Sequence, residues 1–231
     1  LGSAAGFLYG VEAGSGRVAW RVRLPGQLAA APLVHGEALL ALCATDLGGS
    51  LLALDPATGR RRFEVPLDAT PTGPPVAFAG LLGMPGTVAG DPVVAAVDPA
   101  GALAWEDAPP LGVGPVTLAP HAQGLLVKTA AGTCLALDRG GAALWTRARE
   151  AAHLPEVNVP PLVARGVVLV PGEGVEALEV ATGRPLGQAR LGSPARLVVD
   201  GELNVWALDP EGTLAAVRLA THLSVVESGQ R

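Results

Sequence analysis

The side chains that could do chemistry in this chain are few and far apart. Four histidines stand at His35, His121, His153 and His222, with no His-x-x-x-His or comparable ligand spacing among them, so a zinc site is not expected. His35 and His121 occupy equivalent hairpin-turn neighbourhoods, and His222 stands where a turn glycine is usual; surface-turn roles are expected for all four. The two cysteines, Cys43 and Cys134, form neither a metal-type pair nor a disulfide framework. Buried free thiols on strands are the expectation, with a Cys43–Cys134 disulfide as the alternative. Asparagine occurs only as Asn158 and Asn204, which leaves few neutral oxygen ligands for calcium. No Gly-x-Ser-x-Gly elbow, P-loop or paired-carboxylate motif is present. Gly112-Val113-Gly114 and Gly172-Glu173-Gly174 are turn glycines that open no helix, so they make no phosphate cradle. No residue is therefore assigned a catalytic, cofactor-binding or metal-binding role.

The elements that would position these groups come from a repeat. One pattern recurs six times: Leu8-Tyr9-Gly10-Val11-Glu12, Leu51-Leu52-Ala53-Leu54-Asp55, Val94-Ala95-Ala96-Val97-Asp98, Cys134-Leu135-Ala136-Leu137-Asp138, Val175-Glu176-Ala177-Leu178-Glu179 and Leu214-Ala215-Ala216-Val217-Arg218. The pattern returns after about 40 residues, the length of one four-stranded propeller blade. Its third position is always Gly or Ala and its fourth always aliphatic. On a strand these face opposite sides. The aliphatic column is expected to fill an inter-blade core, and the small column to leave room where the neighbouring sheet packs closely. A turn rich in Pro and Gly follows, as in Pro56-Ala57-Thr58-Gly59, with the preceding acid accepting hydrogen bonds from turn amides. An aromatic comes seven or eight residues after the acid: Trp20, Phe63, Trp105 and Trp145, replaced by Gly187 and Val226 in the last two units. These aromatics are expected to pack between blades, Trp145 largely buried; Trp206 is off the column. The other half of each unit is a second short hairpin, such as Pro115-Val116-Thr117-Leu118 with Leu125-Leu126-Val127.

Strands are expected near 50–55, 60–66, 134–138 and 143–148, in an all-β propeller of four-stranded blades. Five blades are complete and the first, residues 7 to 24, has only its second hairpin. Residues 1–231 are then one propeller domain or the C-terminal part of a larger one with upstream blades; a closed ring of six is the alternative.

Composition supports this architecture and narrows the function. Hydrophobic residues make up 49% and aromatics only 3%, so aliphatic side chains must build the core. The net charge is −5 and Lys128 is the sole lysine, which leaves no basic stripe for nucleic acid. The longest uncharged stretch, Ala69 to Gly90, carries four prolines and five glycines and cannot be a membrane helix. The Arg60-Arg61-Arg62 run falls on a turn and outer strand, where solvation is expected. One segment departs from the repeat: residues 149–158 lengthen an inter-blade connection. Its Arg149, His153, Glu156 and Asn158 are the candidate partner contacts, since propellers bind through such loops.

The stretch Leu51-Leu52-Ala53-Leu54-Asp55-Pro56-Ala57-Thr58-Gly59, followed by an aromatic, resembles the repeat of the pyrroloquinoline-quinone-like (PQQ-like) β-propeller family, and the resemblance covers nearly the whole chain. That family includes quinoprotein dehydrogenases, sensor domains and scaffolds, among them the propeller lipoprotein of the outer-membrane β-barrel assembly machine. The resemblance implies a bacterial protein-binding scaffold, periplasmic or outer-membrane-associated, with a protein partner and no direct membrane insertion. A sensing domain of a larger signalling protein is the alternative, and a quinone-dependent dehydrogenase the third choice. The dehydrogenases carry adjacent cysteines over the quinone ring and an Asn-containing calcium site; Cys43 and Cys134 are not adjacent, so no quinone is expected.

Overall fold

The computed structural model describes residues 1–3, 5–106, 114–148, 159–202 and 204–218, and among these no helix occurs. The chain divides into two compact units, Leu1–Ala108 and Pro109–Arg231.

The first unit holds three antiparallel sheets. The first sheet pairs Gly2–Ser3, Phe7–Val11 and Val18–Arg23 in sequence order. Its two-residue opening strand adds to the hairpin expected from sequence, through Gly2 opposite Leu8 and Ser3 opposite Phe7. The second sheet runs Gln27–Leu28, Ala38–Thr45, Gly48–Leu54 and Arg61–Leu67, and Leu33–His35 also pairs with Ala38–Thr45. The third runs Val76–Phe78, Leu81–Val88, Asp91–Val97 and Leu103–Glu106, and Thr70–Pro71 also pairs with Leu81–Val88. In both, the first strand is split into two pieces. Pro32 lies in one break and Pro74 and Pro75 in the other, where a missing N–H cannot continue a ladder.

The second unit repeats the pattern. Its four-stranded sheets are Val116–His121, Gly124–Thr129, Cys134–Asp138, Ala143–Arg147, and Leu162–Ala164, Val167–Pro171, Val175–Glu179, Pro185–Ala189. The sixth sheet has Arg196–Val199, Asn204–Leu208 and Leu214–Arg218 among the described residues.

Period-two alternation puts each central strand into two cores. In Gly48–Leu54, Leu52 and Leu54 pack with Leu8, Leu24 and Trp20 of the first sheet. Leu51 and Ala53 pack with Leu82, Met84 and Val97 of the third. In the second unit Ala136 and Trp145 pack with Val168, Val170 and Leu178, and Leu169 and Val175 pack with Leu197, Val205 and Ala207. The aliphatic column thus faces the preceding sheet, as its invariant size requires.

The small column faces the neighbouring sheet, as expected for Ala53 and Ala136, and it has a second cause within its own sheet. Gly10 is directly opposite Trp20, Ala53 opposite Phe63, Ala96 opposite Trp105 and Ala136 opposite Trp145. Directly opposed residues share a face, so the small residue makes room for the aromatic of its own sheet; a Cβ on Gly10 would strike the Trp20 indole. The sixth sheet keeps the rule from the other side, with Ala216 opposite Trp206.

Immediately after each small residue the register shifts. Val11 pairs with Val18, Leu54 with Arg61, Val97 with Leu103, Leu137 with Ala143 and Leu178 with Pro185. One residue of the fourth strand is extra each time (Ala19, Arg62, Ala104, Leu144, Leu186). This bulge increases the local twist and re-aims the aromatic next to it.

Candidate binding site

The aromatics reach from one sheet to the turn of the next. Trp20 donates its indole N–H to the Pro56 carbonyl at 2.9 Å, and Trp145 donates to the Val180 carbonyl at 2.9 Å. Pro56 and Val180 are equivalent turn positions. Each indole packs on the turn glycine three residues later: a Cβ on Gly59 would come within 2.7 Å of Trp20, and one on Gly183 within 2.6 Å of Trp145. Those glycines have φ of +71° and +69°, so conformation and space both require glycine. Trp145 packs against the buried cluster of the fourth and fifth sheets and keeps part of its surface exposed.

The second sheet breaks this pattern. Phe63 stands in the aromatic column and packs on Gly101, where a Cβ would be 2.7 Å away. A phenyl ring has no N–H to donate. Pro99, equivalent to Pro56 and Val180, therefore receives no indole donor, and its carbonyl accepts no hydrogen bond among the described residues. A cavity of about 400 Å³ opens there between the second and third sheets. Leu40, Leu51, Phe63, Leu82 and Val97 form its floor, and His35, Glu37, Arg62 and Asp98 its rim.

The rim carries two acids, one arginine and one histidine. Arg62 is held by Asp55 at 3.2 Å and by Glu37 at 3.7 Å. Glu37 has 91% of its side chain exposed. Asp55 also accepts from the Ala57 and Thr58 amides and the Thr58 hydroxyl. The Thr58 hydroxyl and Arg62 hold the Asp55 carboxyl down at about 2. Asp98 spends one oxygen on the Ala100 and Ala102 amides. The turn acids thus act as expected from sequence. Of the arginine run, Arg61 pairs with Glu64 and Arg62 with the rim, so these cations are paired locally.

His121, the equivalent of His35, corrects the surface-turn expectation. It is only 8% exposed. Its Nδ1 accepts the Gln123 amide at 3.3 Å, so Nε2 carries the proton and donates to the Leu137 carbonyl at 3.3 Å. Burial pushes its pKa below the ordinary histidine value. His35 is half-buried and lines the cavity instead.

Both cysteines are buried free thiols. Burial pushes Cys43 up to about 11 and Cys134 up to about 12, so neither is a nucleophile at neutral pH. Cys134 faces a buried polar group: Lys128 is opposite it in register, and Arg147 donates to Glu176 at 3.1 Å, joining the fourth and fifth sheets. Trp206 lies on the exposed face of the sixth sheet with Val198, Leu208 and Leu214; its N–H donates to Asp200 at 3.1 Å. Arg149, His153, Glu156 and Asn158, the partner contacts expected from sequence, lie outside the described residues, as does His222.

Among the described residues no three His, Cys, Asp or Glu side chains converge as metal ligands. These residues do not fit a quinone and its calcium ion: the thiols are buried and not adjacent, and the arginines near the cavity are already ion-paired.

Residues 1–225 match the family described as outer membrane protein assembly factor BamB. The chain belongs to that family. No curated protein matches it. Among solved structures, BamB from Moraxella catarrhalis superposes with a TM-score of 0.74 at 20% identity, covering 99% of this chain and 72% of that one. The computationally designed Ika4 protein gives 0.53 at 13% identity, over 63% of this chain and 89% of that one. The designed Ika8 protein gives 0.52 at 12%, over 86% and 73%. The likeness to BamB shows the fold, a β-propeller, as the sequence led one to expect. The cavity was not singled out from sequence, although Phe63 in place of Trp was its visible signal.

Proposed function

We propose that the chain is a non-catalytic, extracytoplasmic scaffold that binds a protein partner during outer-membrane protein assembly. The BamB family match over residues 1–225 carries this reading. The side chains are consistent with it: the reactive groups are buried, ion-paired or spent on turns, and the rims of the sheets hold the polar variety that recognition needs. The 149–158 segment, through Arg149, His153, Glu156 and Asn158, is the proposed contact loop.

The test is a photo-crosslinking amino acid at position 153 in the native bacterium. Adducts with components of the outer-membrane β-barrel assembly machine are expected, together with their loss when Arg149, Glu156 and Asn158 are changed to Ala. Normal outer-membrane protein content in a deletion strain, with no such adduct, would overturn the reading. Equilibrium dialysis with the quinone and calcium checks the enzymatic alternative, and saturable binding would favour it.

A further inference from the structure

We propose that the cavity between the second and third sheets is a subsite for a tryptophan side chain, presented by a basic, extended segment of a partner protein. The proposal names the partner chemistry for the scaffold reading and rests on it.

The argument comes from a vacancy in the repeat. At two equivalent junctions, first to second sheet and fourth to fifth, an indole covers the turn and its N–H satisfies the turn carbonyl, through Trp20 on Pro56 and Trp145 on Val180. At the second-to-third junction Phe63 supplies neither the larger ring nor the donor. What is left is a cavity of about 400 Å³ with an aliphatic and aromatic floor and the Pro99 carbonyl at its side. A ligand suited to it needs a flat apolar body and one N–H, which is the pattern of an indole. Pro99 is exposed, so an indole N–H would replace water on its carbonyl and would add orientation more than affinity. The rim adds the second criterion. Glu37 and Asp98 outnumber Arg62, which Asp55 already neutralises from outside the cavity, so lysine or arginine flanking the indole is favoured. The equivalent junction in the second unit is closed on both counts, by the Trp145 indole and by His121 folded onto Leu137.

The experiment uses amide chemical-shift perturbation on the full chain. N-acetyl-tryptophanamide should shift residues 35–38, 62–63 and 97–101 saturably, about threefold more tightly than N-acetyl-phenylalaninamide, the scale of a larger ring and one hydrogen bond to a solvent-accessible carbonyl. The peptide Lys-Trp-Lys should bind more tightly than Glu-Trp-Glu, and Glu37→Lys should narrow that difference. Phe63→Trp should fill the site and abolish binding. Glu37→Lys is on an exposed side chain, so it keeps the test open should Phe63→Trp fold poorly. Equal binding of the tryptophan and phenylalanine probes, or shifts away from those residues, would overturn the proposal. Crosslinking to assembly components that survives in Phe63→Trp would also overturn it while leaving the scaffold reading intact. Probe binding at the cavity without any assembly partner would sink the scaffold reading and leave the subsite standing.

Discussion

Asp55 and His121 show how single side chains couple folding to pH. The folded Asp55 carboxyl sits at about 2, below its ordinary value near 3.9, because the Thr58 hydroxyl and Arg62 favour the charged form. Its contribution is therefore present above about pH 4 and is lost as pH falls towards 2. His121 works at a higher pH. Burial lowers its pKa, so the fold prefers the neutral ring and the unfolded chain takes up the proton first. Its contribution is present above about pH 6.5 and fades as pH falls below that value. Thermal melts should show a smaller loss of Tm between pH 7 and 5 in His121→Gln than in the parent. Asp55→Asn should flatten the loss between pH 4 and 2 instead. Parallel pH profiles for parent and both variants would mean that neither group is coupled to folding.

At the scale of the element, the unit of construction is the cross-strand pair of a small residue and an aromatic, locked by a bulge. Ala136 is fully buried opposite Trp145, with Leu126 opposite it on the other side. Ala136→Leu should therefore destabilise by about 1–3 kcal/mol through overpacking. The same change at Ala177, which is half-buried and opposite Gly187, should cost clearly less. Denaturant melts of the two variants decide this. Equal losses would show that the small column is fixed by the neighbouring sheet rather than by the aromatic of its own. The bulge explains why the aromatic falls seven or eight residues after the turn acid: the turn varies by one residue, while the pairing of aromatic and small residue is kept.

Across the molecule, stability should be layered. The second and third strands of each complete sheet are the most buried, and the fourth strands are half-open to solvent. Local opening follows that gradient. Native-state amide exchange should be slowest at residues 51–54, 94–97 and 135–137 and fast at 103–106 and 143–147. Uniform protection would show that the sheets open only as whole units. Both units follow the same construction, yet their junctions differ in finish: one is sealed by an indole and a buried histidine, the other is left open over Phe63.

The sequence by itself determined the fold of this protein. Period-two alternation, a 40-residue return and turn-specific Pro and Gly leave little choice of element, and the strands expected at 134–138 and 143–148 are Cys134–Asp138 and Ala143–Arg147 in the structure. It also showed that the cysteines are core residues and that the acids serve the turns. What it could not show were relations set by pairing across strands and between sheets. The small column reads as spacing along one strand, but part of its cause is an aromatic directly opposite on the next, as Trp145 is to Ala136. His35 and His121 look alike in the chain, and only packing decides that one turns inward to Leu137 while the other lines a cavity. Phe63 in place of Trp is a visible letter, yet that it leaves the Pro99 carbonyl without a donor depends on a turn 36 residues away (99 − 63). Local pattern is written in the order of residues, whereas space and unmet hydrogen bonds exist only once distant strands are side by side.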